Sequence, residues 1–187
     1  MNVVSRQHMD KAAFFAWTDR QERRYELADG DIVLMPEVTR HHARLCTNLV
    51  AALARQIDRS KFDISRGDFA VESGDRSVRY ADVMVEPFGT VGAERSTLSA
   101  LLLVEVLSPS SMHVDFRDKL HEYQAIPALG TYIICAQDSR RVWVWTRSGG
   151  VWPSEPGIVE AAEGAVDVPV LGVTLPLAEI YRGLDTR

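Results

Sequence analysis

Cysteine and lysine are both scarce in this chain, and each scarcity excludes something. The two cysteines, Cys46 and Cys135, lie far apart, one in a helical pattern and one in an apolar strand pattern. They exclude a disulfide framework, read as two small buried side chains and fit a reducing compartment. Five histidines and two distant cysteines show none of the spacings of a zinc site, so a structural-zinc protein is not expected. A charged-then-apolar leader and a long uninterrupted apolar run are both missing, which argues against a signal peptide or membrane span and makes the cytoplasm the default location. Ser108, Ser110 and Ser111 lack a Gly-x-Ser-x-Gly frame, and no Gly-rich loop ends in Gly-Lys-Ser/Thr; neither a serine hydrolase nor a P-loop nucleotidase is therefore expected.

Positive charge is also in deficit, with 21 Lys plus Arg against 26 Asp plus Glu and a formal net charge of -5. No global basic field draws the chain to nucleic acid, so any such binding needs a local patch. Arg20, Arg23 and Arg24, then Arg40 and Arg44, then Arg140 and Arg141 are the candidates, each of which reads more readily as solubilising surface charge than as such a patch.

What is present is an ordinary globular composition: 187 residues, 46% hydrophobic and 25% charged, enough for one domain with a sizeable core. Met9 to Trp17 reads as a short helix and Thr18 to Arg24 as a charged connector, so residues 1–24 form an N-terminal helix and connector ahead of a single domain over 25–187. Tyr25 to Met35 reads as a hairpin about Asp29-Gly30, whose residue types supply the positive φ angles of a tight turn. Leu45, Leu49, Leu53 and Ile57 recur every four residues and predict an amphipathic helix from Thr39 to about Ile57.

Phe62 to Glu72 alternates, with Ser73-Gly-Asp75 as a turn into a strand Val78 to Val85. After a loop from Pro87 to Ser96, Leu101 to Leu107 is apolar enough for a central strand buried on both faces. Ser108 to Ser111 breaks it, and Phe116, Leu120 and Tyr123 predict the inward stripe of a helix from about Val114 to Ala125. Strands over Thr131 to Ala136 and Arg141 to Thr146, a region of short strands and a small helix at Leu177 to Tyr181 complete the chain. The order predicts an α/β (mixed α+β) fold: a central mixed β-sheet flanked by helices, with an N-terminal β-hairpin and C-terminal short strands.

Two carboxylates stand inside apolar strand-like runs: Asp82 in Val78-Arg-Tyr-Ala-Asp-Val-Met-Val85 and Glu105 in Leu101-Leu-Leu-Val-Glu-Val-Leu107. An ionised carboxylate buried without a partner is costly, so such groups pair with a cation, accept hydrogen bonds or bind a metal. A neighbouring arginine such as Arg79 or Arg66 would satisfy either one alone. Together, and followed by a helix bearing Asp115 and Lys119, they fit a site for Mg²⁺, a hard cation that prefers oxygen ligands. Asp115 and Lys119 also read as an exposed i,i+4 ion pair. Lysine usage weighs against that, because the chain has only Lys11, Lys61 and Lys119 beside eighteen arginines. Trp143, Trp145 and Trp152 read as core or a subunit contact rather than a base-stacking platform.

Tyr25-Glu-Leu-Ala-Asp-Gly, Arg79-Tyr-Ala-Asp-Val-Met-Val, Val104-Glu-Val-Leu-Ser-Pro-Ser110, Asp115-Phe-Arg-Asp-Lys119 and Tyr123-Gln-Ala-Ile-Pro-Ala-Leu129 together resemble the Uma-type bacterial endonucleases of the PD-(D/E)XK superfamily. The similarity runs in order from about Met9 to Leu184. It implies a restriction-endonuclease-like core, a metal-dependent endonuclease acting on DNA, and Mg²⁺ as cofactor with Mn²⁺ as substitute. It implies Asp82 and Glu105 as metal ligands, Glu26 as a further acidic position extending the metal site, and Lys119 as a displaced catalytic lysine. Leu107 stands where the superfamily's usual lysine would follow the glutamate. His42 matches a family histidine and is, with Asp115, a secondary candidate. Ala81 replaces the usual proline before the aspartate, and Ala136 stands where relatives often carry aspartate. A homodimer is possible by analogy, since two sites cut two strands. The competing reading is a catalytically inactive module of the same fold that binds nucleic acid or protein.

Overall fold

The structure, a computed structural model, describes residues 3–5, 8–89, 92, 94–107, 114–161 and 163–185, with backbone alone at 3–5 and 114–115. Its first half runs β1 (Val3–Ser5), α1 (Lys11–Thr18), β2 (Tyr25–Ala28), β3 (Asp31–Leu34), α2 (Arg40–Ala54), β4 (Phe62–Ser65), β5 (Ala70–Gly74) and β6 (Ser77–Arg79). Then come β7 (Val83–Pro87), β8 (Ser96–Thr97), β9 (Leu102–Val106), a π-helical segment (Val114–Lys119) and the short α3 (Leu120–Gln124) that continues it. The chain ends with β10 (Thr131–Cys135), β11 (Val142–Thr146), β12 (Gly157–Val159), β13 (Ala165–Val168), β14 (Val173–Pro176) and α4 (Leu177–Ile180).

The central sheet has the strand order β12-β11-β10-β9-β7-β4, and β9 lies inside it with every residue buried. β9 and β10 pair in parallel, Glu105 beside Ile134, which requires a crossover; the π-helical segment and α3 lie on that connection. β7 is antiparallel to β9, with Val83 beside Val104. Side-chain alternation then divides the apolar residues between two faces. Val83, Val85, Val104 and Val106 face α2, α4 and the β13-β14 pair, while Met84, Leu103 and Leu107 face Tyr123, Tyr132 and Trp145.

The α2 stripe is built from the expected periodicity. His42, Leu45, Cys46, Leu49, Ala52 and Leu53 are its buried residues, and the Thr39 side chain caps its start by accepting the His42 N–H at 3.1 Å. The Trp143 and Trp145 strand is core, with Phe116 edge-on to both rings at 5.0 and 5.9 Å. That contact pins the crossover to the sheet.

A second sheet, β1-β3-β2-β6-β5-β8, surrounds Phe14, Leu27, Ala70 and Val78. Asp29 (φ 46°) and Gly30 (φ 87°) form its tight hairpin turn, as the residue types predict. The expected single strand from Val78 to Val85 is corrected here: it is two strands in two sheets, β6 and β7, with a corner at Tyr80 to Asp82. The corner exists because the backbone groups there bond outside any ladder. Tyr80 N–H donates to the Glu26 carboxylate at 3.1 Å, and Ala81 C=O accepts Gly67 N–H at 3.1 Å. The expected break at Ser108 to Ser111 lies outside the described residues.

Candidate active site

Asp82 sits at this corner, immediately before β7, and the antiparallel register puts it across from Glu105. Its Oδ2 accepts the Val106 N–H at 2.7 Å, and its Oδ1 lies 3.0 Å from His42 Nε2. The carboxylate is thus held between the end of β9 and the start of α2. Both strands of the parallel pair end on this side, the place where open α/β sheets leave a crevice.

His42 faces inward because it falls on the apolar stripe of α2, one turn before Cys46. Its Nδ1 lies 3.5 Å from Cys46 Sγ. Burial first, and then the Asp82 charge, push the Cys46 thiol up to about 12, so it is a neutral thiol at physiological pH. One ligand atom from each of His42, Cys46 and Asp82 lies within 4.8 Å of the others, so this group is able to hold a metal ion. Sequence reasoning assigned Cys46 to packing alone. The signal that reveals it is His42 and Cys46 four residues apart on one buried helix face.

Glu105 projects from β9 toward the crossover. Its Oε1 accepts the Tyr123 hydroxyl at 2.8 Å and lies 3.0 Å from Lys119 Nζ. Lys119 is only 6% exposed, so the exposed ion pair weighed from sequence does not describe it. Its ammonium also approaches Glu26 Oε1 at 3.5 Å. The Asp115 side chain lies outside the described residues.

Glu26, from β2, brings the second sheet into the site. Its Oε2 accepts Arg79 Nη1 at 3.2 Å, and Oε1 takes the Tyr80 N–H. Fully buried Arg79 continues to Glu122 at 2.6 and 2.8 Å, where Ser73 Oγ adds a bond at 2.7 Å. Burial pushes the Glu26 pKa up, but Lys119, Arg79 and the Tyr80 N–H outweigh it and hold the carboxyl below its usual 4.5. Burial, with the charges of Glu105 and Glu26, pushes the Tyr123 phenol well above its ordinary value and keeps it a neutral donor.

The structure therefore gathers Glu105, Lys119 and Glu26 into one buried chain and sets Asp82 with His42 beside it. The Asp82 and Glu105 oxygens are the right donor type for a hard cation. Both Glu26 oxygens are engaged by Arg79, Tyr80 and Lys119.

A model of the Uma2 family, described as "Putative restriction endonuclease", matches residues 12–178. An uncharacterized protein of Synechocystis sp. is 27% identical over 153 residues, covering 80% of this chain and 86% of the relative. A second uncharacterized Synechocystis protein is 24% identical over 175 residues, covering 91% and 90%. The crystal structure of "a putative nuclease belonging to DUF820" from Anabaena variabilis superimposes with a TM-score of 0.75, covering 92% of this chain and 97% of that one at 15% identity. The fold is the mixed α/β, restriction-endonuclease-like one, and the family match supports a nuclease function. Because the family model spans most of the sequence, from α1 into α4, the chain belongs to the Uma2 family of restriction-endonuclease-like proteins.

Proposed function

We propose that the protein is a Mg²⁺-dependent DNA endonuclease that hydrolyses phosphodiester bonds, with Asp82 and Glu105 as the metal ligands and Mn²⁺ as a substitute. The observation that carries this reading is the buried Lys119 ammonium 3.0 Å from Glu105, on a strand whose register puts Glu105 across from Asp82. When bound, the cation supplies a more acidic water and neutralises charge on the phosphate.

The remaining work belongs to the chain's own groups. His42 Nε2 and Val106 N–H fix the two oxygens of Asp82. Tyr123 orients Glu105, while Glu26, itself held by Arg79, keeps the Lys119 ammonium beside it. Lys119 then directs N–H donors at the attacking water, which displaces one phosphate oxygen in line. Glu26 enters as a third carboxylate that positions Lys119 and extends the metal site.

DNA is the substrate, the cytoplasm is the location, and a homodimer would supply one site per strand. No helix among the described residues is long and apolar enough to cross a membrane. A non-catalytic binding module draws support from one observation, Leu107 in place of the usual lysine beside a Glu105 already bonded by Lys119 and Tyr123.

Nicking or linearisation of plasmid DNA with Mg²⁺ or Mn²⁺ tests the proposal, with Glu105→Ala expected to abolish cleavage. Undiminished cleavage by that variant would sink the assignment. Partner binding without cleavage, and without Mn²⁺ uptake by calorimetry, would establish the binding module.

A further inference from the structure

We propose that His42, Cys46 and Asp82 form a site for a thiophilic divalent cation of the Zn²⁺ class, separate in chemistry from the hard-cation pair and sharing only Asp82 with it. The inference extends the reading of the Asp82 corner given above. It stands on the ligand geometry and does not require cleavage.

The three residues offer one nitrogen, one sulfur and one oxygen. That mixed set suits Zn²⁺, whereas Mg²⁺ avoids sulfur and prefers an all-oxygen shell. Tetrahedral zinc, about 2.3 Å from sulfur and about 2.0 Å from nitrogen, separates those two ligand atoms by about 3.5 Å. Cys46 Sγ and His42 Nδ1 stand 3.5 Å apart. Asp82 Oδ1 stands 3.0 Å from the other ring nitrogen, Nε2, and its ligand atom lies within 4.8 Å of those of His42 and Cys46.

The imidazole lies between its two partners. Only one of its nitrogens takes the cation, so the partner on the far side must move round, a side-chain adjustment when all three ligand atoms already lie within 4.8 Å. The backbone frame is set beforehand. The Thr39 cap fixes the start of α2, the helical spacing aligns His42 with Cys46, and Val106 N–H holds the other oxygen of Asp82. Three protein ligands leave a fourth position for water, and the Asp82 side chain, 19% exposed, opens it toward solvent. On uptake the cation takes the sulfur lone pair as the S–H bond breaks, and the proton passes to solvent.

Cobalt(II) reports this chemistry directly, because sulfur ligation gives a charge-transfer band in the near ultraviolet that oxygen and nitrogen ligation do not. The full chain, titrated with Co²⁺ in the absence of DNA, should develop that band to saturation at one equivalent and lose it to added Zn²⁺. Cys46→Ala and Cys46→Ser should abolish the band, and His42→Gln should weaken Zn²⁺ retention in equilibrium dialysis by roughly tenfold or more. Cys135→Ala and Glu105→Gln should keep it.

A wild-type protein without the band, or a band that survives Cys46→Ala, overturns the proposal. Should Cys46→Ala fail to fold, the wild-type spectrum together with Cys135→Ala and His42→Gln still decides. The spectrum is read without DNA, so its failure leaves the endonuclease reading intact. Missing cleavage, in turn, leaves this site to stand or fall on the band.

Discussion

Lys119→Met removes the ammonium between two buried carboxylates and leaves most of its stem in place. Lys119 Nζ lies 3.0 Å from Glu105 and 3.5 Å from Glu26. Removing one member of a buried ion pair costs about 3–5 kcal/mol, because the other charge is left uncompensated. Here each carboxylate keeps a donor: Glu26 retains Arg79 and the Tyr80 N–H, and Glu105 retains the Tyr123 hydroxyl. The expected loss therefore lies at the low end, about 3 kcal/mol. With a urea m-value of about 2 kcal/mol/M, the unfolding midpoint should fall by about 1.5 M.

Adding Glu105→Gln to Lys119→Met removes the stranded charge and should restore about 2 kcal/mol, a coupling that two independent sites would not show. A single-variant cost below about 0.5 kcal/mol, or strict additivity in the double variant, would refute the buried-pair argument. On the proposed function Lys119→Met should also lose roughly 100-fold or more in plasmid cleavage, measured where the variant remains folded. Lower stability with unchanged cleavage would make Lys119 purely structural.

The Glu26 carboxyl is held below its unfolded value, so its contribution is fully present above about pH 4.5 and lost as pH falls through the folded pKa; stability against pH should fall below that point, and Glu26→Gln should flatten that part of the curve. Glu86 behaves oppositely. It is only 2% exposed, its Oε2 has no hydrogen-bond partner among the described residues, and burial raises its pKa, as do Asp63 and Glu94, against the Thr97 hydroxyl. A raised folded value means that the ionised form costs stability at neutral pH, so Glu86→Gln should gain about 1 kcal/mol, or about 2–4 °C in Tm, with the gain shrinking as the pH is lowered. Calorimetry that shows no gain at pH 7 would refute it. Tyr123→Phe keeps the ring packed on Tyr132 but removes the hydroxyl bonded to Glu105, and should cost about 1.5 kcal/mol in denaturant unfolding.

Local signals made much of the frame readable. Asp29-Gly30 announces a turn because few other residue pairs tolerate consecutive positive φ, and the α2 stripe follows from four-residue spacing alone. The corner at Tyr80 to Asp82 was hidden. Apolar alternation runs through it without interruption, and the bonds that bend it reach far along the chain, Tyr80 to Glu26 and Ala81 to Gly67. Membership of a sheet is decided by such distant pairings, which no local pattern encodes. His42 was obscured for a related reason. The four-residue spacing of Leu45 and Leu49 leads back to the exposed His41, whereas His42 lies three residues before Leu45 and four before Cys46, on the buried side and in contact with Asp82.

The lysine question shows how a motif appears broken in sequence while its chemistry is supplied in space. Position 107 lies two residues past Glu105 and therefore on the same face of β9. Leu107 fills it at 6% exposure within the apolar cluster on this face, where an ammonium would lack water. The crossover packed on this same face offers another route to the carboxylate. Phe116, edge-on to Trp143, anchors the π-helical segment, whose wider turn alters which residues face the sheet. Lys119 ends that segment and Tyr123 follows four residues later, so both reach the same Glu105 oxygen, at 3.0 and 2.8 Å. What the site requires is a cation at Glu105, and a strand neighbour or a crossover residue meets that requirement equally. The packing of Phe116 on the tryptophans of β11 holds the segment that delivers Lys119 to the carboxylate, while the apolar burial of position 107 leaves no place there for a charge.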